Sequence, residues 1–213
     1  VTYSANTKVG TVEVIITGTG SYIGEIKSSF DILPAKQQIQ KLETRFKGFF
    51  IDWAQKGSAT GYEIEYSTNA DFKDSTVKKL TANKPDTLTI SGLTAGNKYY
   101  VRVRSYTNVG EKVYYGAWSD SKNITTAKYD ITKSAISGIS TKTYTGKNIT
   151  QSVKVKYNGK TLKSGTDYTV SYSSNKNVGT ATVKITGKGQ YGGTVSKTFK
   201  INPAKQEIQK LTA

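Results

Sequence analysis

Two carboxylates, Glu63 and Glu65, stand two residues apart in Gly61-Tyr62-Glu63-Ile64-Glu65-Tyr66. Paired acids are the one catalytic arrangement this residue inventory leaves open, because glycosidases work with two carboxyl groups flanking the scissile bond. In a strand, a spacing of two places both on one face. Alternation with Tyr62, Ile64 and Tyr66 makes that the outer face, so they read as solvated acids with no cleft between them. The chain has no Cys, no His and no Met, which removes the Ser-His-Asp triad, the cysteine nucleophile and any His-containing zinc site. Asp71 and Asp74 in Asn69-Ala70-Asp71-Phe72-Lys73-Asp74-Ser75 match no calcium loop with enough oxygen ligands. The expectation is a non-enzyme with no catalytic, cofactor-binding or metal residues.

Two groups of side chains could instead bind. Tyr114, Tyr115 and Trp118 lie close together in Glu111-Lys112-Val113-Tyr114-Tyr115-Gly116-Ala117-Trp118, and exposed aromatics stack on sugar rings. The competing reading is packing over the end of a core. Lys154 and Lys156, with Lys160 and Lys163, and separately Arg102 and Arg104, form basic strand faces. Such faces hold anionic polymer, or blunt an edge strand against aggregation. The net charge of +16 from 31 basic and 15 acidic residues makes polyanions such as cell-wall polymer or glycan natural partners. Nucleic acid is not expected, because the basic residues are dispersed and form no arm or recognition helix. No apolar run approaches the roughly 20 residues of a membrane-spanning helix, and with no His the charge should barely change between about pH 5.5 and 8.5.

These residues are positioned by a sequence that contains one stretch twice. Residues 1–44 return without a gap as residues 170–213, with roughly 24 of about 44 positions identical, the signature of a repeat architecture. Val12, Val14 and Ile16 alternate with polar or exposed positions, as do Ile26, Phe30 and Ile32, so residues 1–33 read as three short strands with one apolar face. Residues 128–203 read as a complete small sandwich, with strands at 135–139, 152–157 and 168–172 and a hairpin turn at Asn158-Gly159. Residues 35–127 form a different unit, in which Phe49, Ile51 and Trp53, then Tyr62, Ile64 and Tyr66, then Tyr99, Val101 and Val103 each supply the apolar side of a strand. The joints Leu33-Pro34-Ala35-Lys36-Gln37 and Asn202-Pro203-Ala204-Lys205-Gln206 are too short for free swinging, so a semi-rigid array is expected.

Within the middle unit GFFIDW (48–53), GYEIEYST (61–68), LTISGLTAGNKYYVRVRSY (88–106) and GAWSD (116–120) resemble a bacterial fibronectin type III domain. The most specific piece is Leu93-Thr94-Ala95-Gly96-Asn97-Lys98-Tyr99, similar to the family's L-x-P-G-x-x-Y turn with Ala95 in place of proline. The resemblance implies that Tyr99 is the corner tyrosine, its hydroxyl tied back to the backbone, and that Trp53 is the core tryptophan. Leu93, Gly96, Tyr99 and Trp53 are thus expected structural residues. Residues 136–201 resemble immunoglobulin-like repeats of Gram-positive surface proteins, which implies an extracellular, cell-surface setting and no catalytic residues. Asp130 and Asp167, the only acids in 128–203, sit on no apolar strand face, so no Lys-Asn isopeptide crosslink is expected. The sequons Asn123-Ile124-Thr125 and Asn148-Ile149-Thr150 are read as accidental.

The resulting expectation is an all-β chain of tandem β-sandwiches, fibronectin type III and immunoglobulin-like. Residues 1–34 would be the C-terminal half of an immunoglobulin-like repeat, 35–127 a fibronectin type III domain, 128–203 a complete immunoglobulin-like repeat and 204–213 the first strand of a following unit. The function implied is a non-enzymatic stalk or spacer in a large repetitive bacterial surface protein; the alternative is an adhesin-type module contacting glycan or anionic wall polymer. Expected partners are neighbouring repeats of the same chain. The half-repeat poses a separate problem, met by residues preceding Val1, by strand exchange with another chain through residues 1–33, or by leaving its apolar face open.

Overall fold

A computed structural model describes residues 2–3, 7–54, 59–84 and 86–206. Apart from one 3-10 turn, regular structure among the described residues is entirely strand, so the chain is all-β. It divides into two compact units, one holding residues 1–93 and 97–127 and the other 94–96 and 128–213.

The first unit begins with a three-stranded antiparallel sheet, β1 (Thr2–Tyr3), β2 (Gly10–Thr17) and β3 (Glu25–Ile32), in the order β1-β2-β3. Val12 pairs with Phe30 and Ile16 with Ile26. Directly opposed residues share a face, so these four line one apolar side. Thr11 and Asp31, also opposed, point to the other side. There Asp31 accepts hydrogen bonds from Thr11 Oγ1 at 2.6 Å and Lys112 Nζ at 3.0 Å, and the Tyr114 hydroxyl lies 2.8 Å from Thr11 Oγ1. This polar clasp ties the sheet to the sandwich that follows.

That sandwich is built from β4 (Ile39–Arg45), β5 (Gly48–Trp53), β6 (Gly61–Ser67), β7 (Thr76–Leu80), β8 (Thr87–Ile90), β9 (Lys98–Val109), β10 (Lys112–Tyr115) and β11 (Lys122–Thr125). One sheet runs β4-β5-β8; the other runs β10-β9-β6-β7, with β11 also pairing β9. The strands form where apolar and polar residues alternate, because burying one side of a pleat is what stabilises it. Phe49, Ile51 and Trp53 of β5 meet Tyr62, Ile64 and Tyr66 of β6 and Val101 and Val103 of β9 in a closed core. Trp53 is fully buried against Tyr62, with ring centroids 5.3 Å apart. The entry joint is fixed rather than loose: Gln37 is fully buried, and its Nε2 donates to Ala35 O and Ser105 Oγ at 2.9 and 3.0 Å.

The second unit comprises β12 (Tyr129–Asp130), the 3-10 turn Ile131–Lys133, β13 (Ala135–Ser137), β14 (Lys142–Thr143), β15 (Lys154–Tyr157), β16 (Lys160–Thr161), β17 (Tyr168–Ser173), β18 (Gly179–Gly187), β19 (Tyr191–Gly192) and β20 (Thr194–Asn202). Sheets β13-β15-β16 and β14-β20-β18-β17 pack face to face around Val155, Ala181, Val183, Ile185, Phe199 and Ile201. The β15–β16 hairpin turns at Asn158 and Gly159, both with positive φ, 46° and 81°; this pair of left-handed residues matches the right-handed twist of the flanking strands. Asp130 is spent capping the 3-10 turn through Thr132, and Asp167 accepts the Lys163 amide at 2.8 Å. Of the strand expected at 204–213, residues 207–213 lie outside the described residues.

The clasp carries a pH dependence. Hydrogen bonds from Thr11 and then Lys112 hold the Asp31 carboxyl below its ordinary value. A lowered folded-state pKa means the tie is complete above the unfolded value of about 3.9 and is lost as pH falls through the folded one. Amide shifts of Thr11 and Asp31 followed by NMR should therefore move together only below about pH 4, and Asp31→Asn should abolish that titration without unfolding the sandwich.

Candidate functional site

The charged face of the first unit's larger sheet is where sequence-derived candidates converge. On β6 the outward residues are Glu63 and Glu65; on β9 they are Arg102 and Arg104, with Glu63 directly opposite Arg104 and Glu65 opposite Arg102. Arg104 Nη2 lies 2.7 Å from Glu63 Oε2, and Arg102 Nε lies 2.6 Å from Glu65 Oε2. Glu65 also accepts from Ser75 Oγ, and Lys79 stands 3.8 Å from Glu63.

These acids are not solvated. Glu63 and Glu65 are 6% and 7% exposed, which corrects the reading of two open surface carboxylates. What covers them is an aromatic layer delivered by loops. The Arg102 guanidinium lies 4.0 Å from the Phe72 ring centroid and 4.7 Å from Trp118, and Arg104 lies 4.3 Å from Trp118 and 4.1 Å from Tyr115. The order Phe72, Arg102, Trp118, Arg104, Tyr115 is a stack of alternating ring and cation, in which each cation is also hydrogen-bonded to a carboxylate. Lys79 extends it toward Tyr106 at 4.3 Å.

Two backbone irregularities place those rings. Between β10 and β11 the edge strand breaks at 116–121. Ser119 N still donates to Val103 O at 2.8 Å, but Val103 N is satisfied by Ser119 Oγ at 3.0 Å. A side-chain oxygen thus replaces a ladder carbonyl, the strand bulges, and Trp118 turns onto the outer face. Phe72 has φ of 61°, unusual for an aromatic residue. The loop is stapled by Ser67 Oγ donating to Lys73 O and by Asp71 Oδ1 accepting from Lys73 N. Asp71 therefore serves the turn.

The remaining candidates separate. Tyr114, unlike Tyr115, is buried on the far side against Thr11, so Tyr114, Tyr115 and Trp118 form no common exposed patch. Arg102 and Arg104 are engaged by carboxylates and rings, which removes them as an open basic face. Lys154 and Lys156 are exposed, but β15 lies between β13 and β16; the edge-strand role is corrected, because the partner strand comes from residues 135–137 upstream. Trp53 and Tyr99 lie in the core, Tyr99 with its ring 6.4 Å from Tyr66. Leu93 packs on that core, and its amide donates to Lys47 O at 2.8 Å. Gly96 takes a φ of 73°, the left-handed conformation a side chain would oppose.

One cleft that residue spacing did not indicate lies in the second unit. Tyr129, Tyr157 and Tyr191 cluster with ring centroids 5.2–5.7 Å apart and wall a cavity of about 250 Å³ with Asn158, Lys160, Asp167 and Gln190. Its residues are far apart in sequence; only the recurrence of tyrosine at 22 and 191 in the two copies could have drawn attention to it.

The stack predicts a stability cost. Trp118→Ala removes the ring shared by both guanidiniums and should destabilise the first unit by about 2–3 kcal/mol, whereas Trp118→Phe should keep more than half of that. Urea denaturation followed by Trp53 fluorescence measures both; a loss below about 0.5 kcal/mol, the level of an ordinary surface change, would show that the ring is merely adjacent.

No curated protein matches the chain. Among solved structures, one described as a myokine is similar at 11% identity and a TM-score of 0.38, covering 45% of this chain and 99% of its own. The human contactin 1 fn3 domain is similar at 17% identity and a TM-score of 0.37, covering 52% of this chain and 93% of its own. Residues 43–121 match the family model described as the Fibronectin type III domain, the segment that contains the core tryptophan and the ring-cation stack, and the chain thus carries a fibronectin type III domain.

Proposed function

We propose that this chain is a non-enzymatic spacer segment of a large, repetitive bacterial surface protein, in which fibronectin type III domains alternate with immunoglobulin-like repeats and hold a distal domain away from the cell wall. A fibronectin type III domain is a common structural and binding module. The observation that carries the spacer reading is the joint ahead of that domain. Gln37 is buried and bonded to Ser105 and Ala35, and the Asp31–Lys112 and Thr11–Tyr114 contacts clasp the preceding sheet. A joint pinned by buried hydrogen bonds transmits direction from one module to the next, which a Gly/Ser linker does not. Pro203-Ala204-Lys205-Gln206 repeats the sequence of that joint. The setting at the cell surface and the boundaries at residues 34, 127 and 203 belong to the same proposal, as does the assignment of Leu93, Gly96 and Tyr99 to a corner that locks the domain.

A second reading has one observation in its favour. The cleft of Tyr129, Tyr157 and Tyr191 combines ring walls with Asp167, Gln190 and Asn158, the mixture of stacking and hydrogen-bonding groups that recognises a pyranose. On that reading each repeat is a weak glycan-binding module, and many together bind tightly.

Small-angle scattering of versions with one, two and three repeats distinguishes the proposals when paired with glycan and teichoic-acid binding at low and physiological salt. A spacer should lengthen in proportion to repeat number and show no binding that survives physiological salt. Saturable glycan binding lost in Tyr157→Ala, or a radius that stops growing with repeat number, would overturn the spacer reading.

A further inference from the structure

The two copies of the repeated stretch fold alike and are covered differently. In the first, β1, β2 and β3 pair Tyr3 with Val14, Gly10 with Ile32 and Thr17 with Glu25. In the second, β17, β18 and β20 pair Tyr172 with Val183, Gly179 with Ile201 and Thr186 with Thr194. Each pair of the second set is the corresponding pair of the first, so the register is the same throughout. Side chains at matching positions therefore point the same way.

Their surroundings are opposite. Ile185, Phe199 and Tyr191 are buried in the second copy, while their counterparts Ile16, Phe30 and Tyr22 are 47%, 47% and 80% exposed. The second copy is covered by residues 128–169, of which Ile131, Ile149, Val155 and Leu162 belong to the same core. Strand β14 also runs parallel to β20, pairing Lys142 with Ile201 and Thr143 with Asn202. The matching edge at Ile32 of β3 has no strand beyond it among the described residues. The opposite, polar face of the first sheet is already clasped through Thr11 and Asp31; on the apolar face Val12 is buried, while Ile16, Ile26 and Phe30 beside it stay exposed.

We infer that the apolar face of β2 and β3 is a docking surface for a β-layer of the sequence and chemistry of residues 128–169, which seats apolar side chains equivalent to Ile131, Ile149, Val155 and Leu162 over Ile16, Ile26 and Phe30 and adds a parallel strand beside Ile32. The argument for this occupant is internal to the chain. The same strands, in the same register, with Val14, Ile16, Phe30 and Ile32 matched by Val183, Ile185, Phe199 and Ile201, already accept such a layer once. An open apolar sheet face is otherwise an aggregation hazard, and a shape-matched layer removes it. Asp31 is retained for the clasp where the second copy has Lys200, so docking on one face and tethering on the other are compatible.

The probe is a synthetic peptide with the sequence of residues 128–169 added to the full chain, with amide hydrogen exchange read strand by strand. Docking should slow exchange in residues 10–17 and 25–32 by about tenfold or more, saturate at one peptide per chain, and leave residues 179–187 and 194–202 unchanged. Phe30→Lys alters a side chain the chain itself leaves half open, so it should preserve the strand spectrum while abolishing the protection. Ile26→Thr, a milder change on the same face, should weaken it. No added protection at saturating peptide would overturn the proposal, and so would protection that arises from self-association of the chain and is not displaced by the peptide.

Discussion

Two buried carboxylates, each paired with a partly exposed arginine, set the terms for the fibronectin type III domain. Strands β6 and β9 are central to their sheet, and placing Glu63 and Glu65 opposite Arg104 and Arg102 is tolerable only because each carboxylate meets a guanidinium at hydrogen-bonding distance. Removing an arginine would leave a carboxylate that water hardly reaches without its partner, which costs about 3–5 kcal/mol in a buried pair. The rings of Phe72, Trp118 and Tyr115 exclude that water and receive the cations on their faces. This requirement explains the backbone departures: the edge strand opens at Gly116–Ser121 so that Trp118 can lie over the arginines, and Phe72 accepts a left-handed φ to reach Arg102. The sandwich therefore has two packed layers, an apolar one between its sheets and a charged-aromatic one outside the larger sheet.

The same logic, one side committed and one side open, recurs at the first sheet in another chemistry. Its polar side is committed to the clasp by Asp31, Thr11, Lys112 and Tyr114, and its apolar side presents Ile16, Ile26 and Phe30. A module with one face fixed by hydrogen bonds to its neighbour and the other filled by the proposed layer would have little freedom to rotate. The proposed spacer role requires such a restraint. The +16 charge has exposed carriers such as Lys154 and Lys156, while Arg102 and Arg104 are partly covered and engaged by carboxylates and rings.

Much of this was legible in the residues. Alternation located β2, β3, β5, β6 and β9, because a half-buried pleat leaves a period of two whatever the fold. Asn158-Gly159 located its hairpin, because few dipeptides accept two positive φ values. What could not be read was which outer faces are covered. Glu63 and Glu65 alternate like solvent-facing acids; their burial depends on Phe72 and Trp118, whose positions depend on a loop conformation and a strand break with no periodic signal. Lys154 and Lys156 looked like an edge because their neighbour β13 is distant in sequence. The tyrosine cleft drew its walls from β12, the β15–β16 hairpin and the 188–191 turn, three places that no local motif connects.

The central claim, that the charged face is internal structure and not a binding surface, is tested most directly by a double-mutant cycle between Glu63 and Arg104. Stability would be measured for the parent, Glu63→Gln, Arg104→Met and the pair, at low salt and at 1 M salt. A buried, ring-covered pair should show a coupling of about 2 kcal/mol that changes little with salt. A coupling near zero, or one that vanishes in high salt, would mean that Glu63 and Arg104 act as exposed charges and that the face remains available to an anionic ligand.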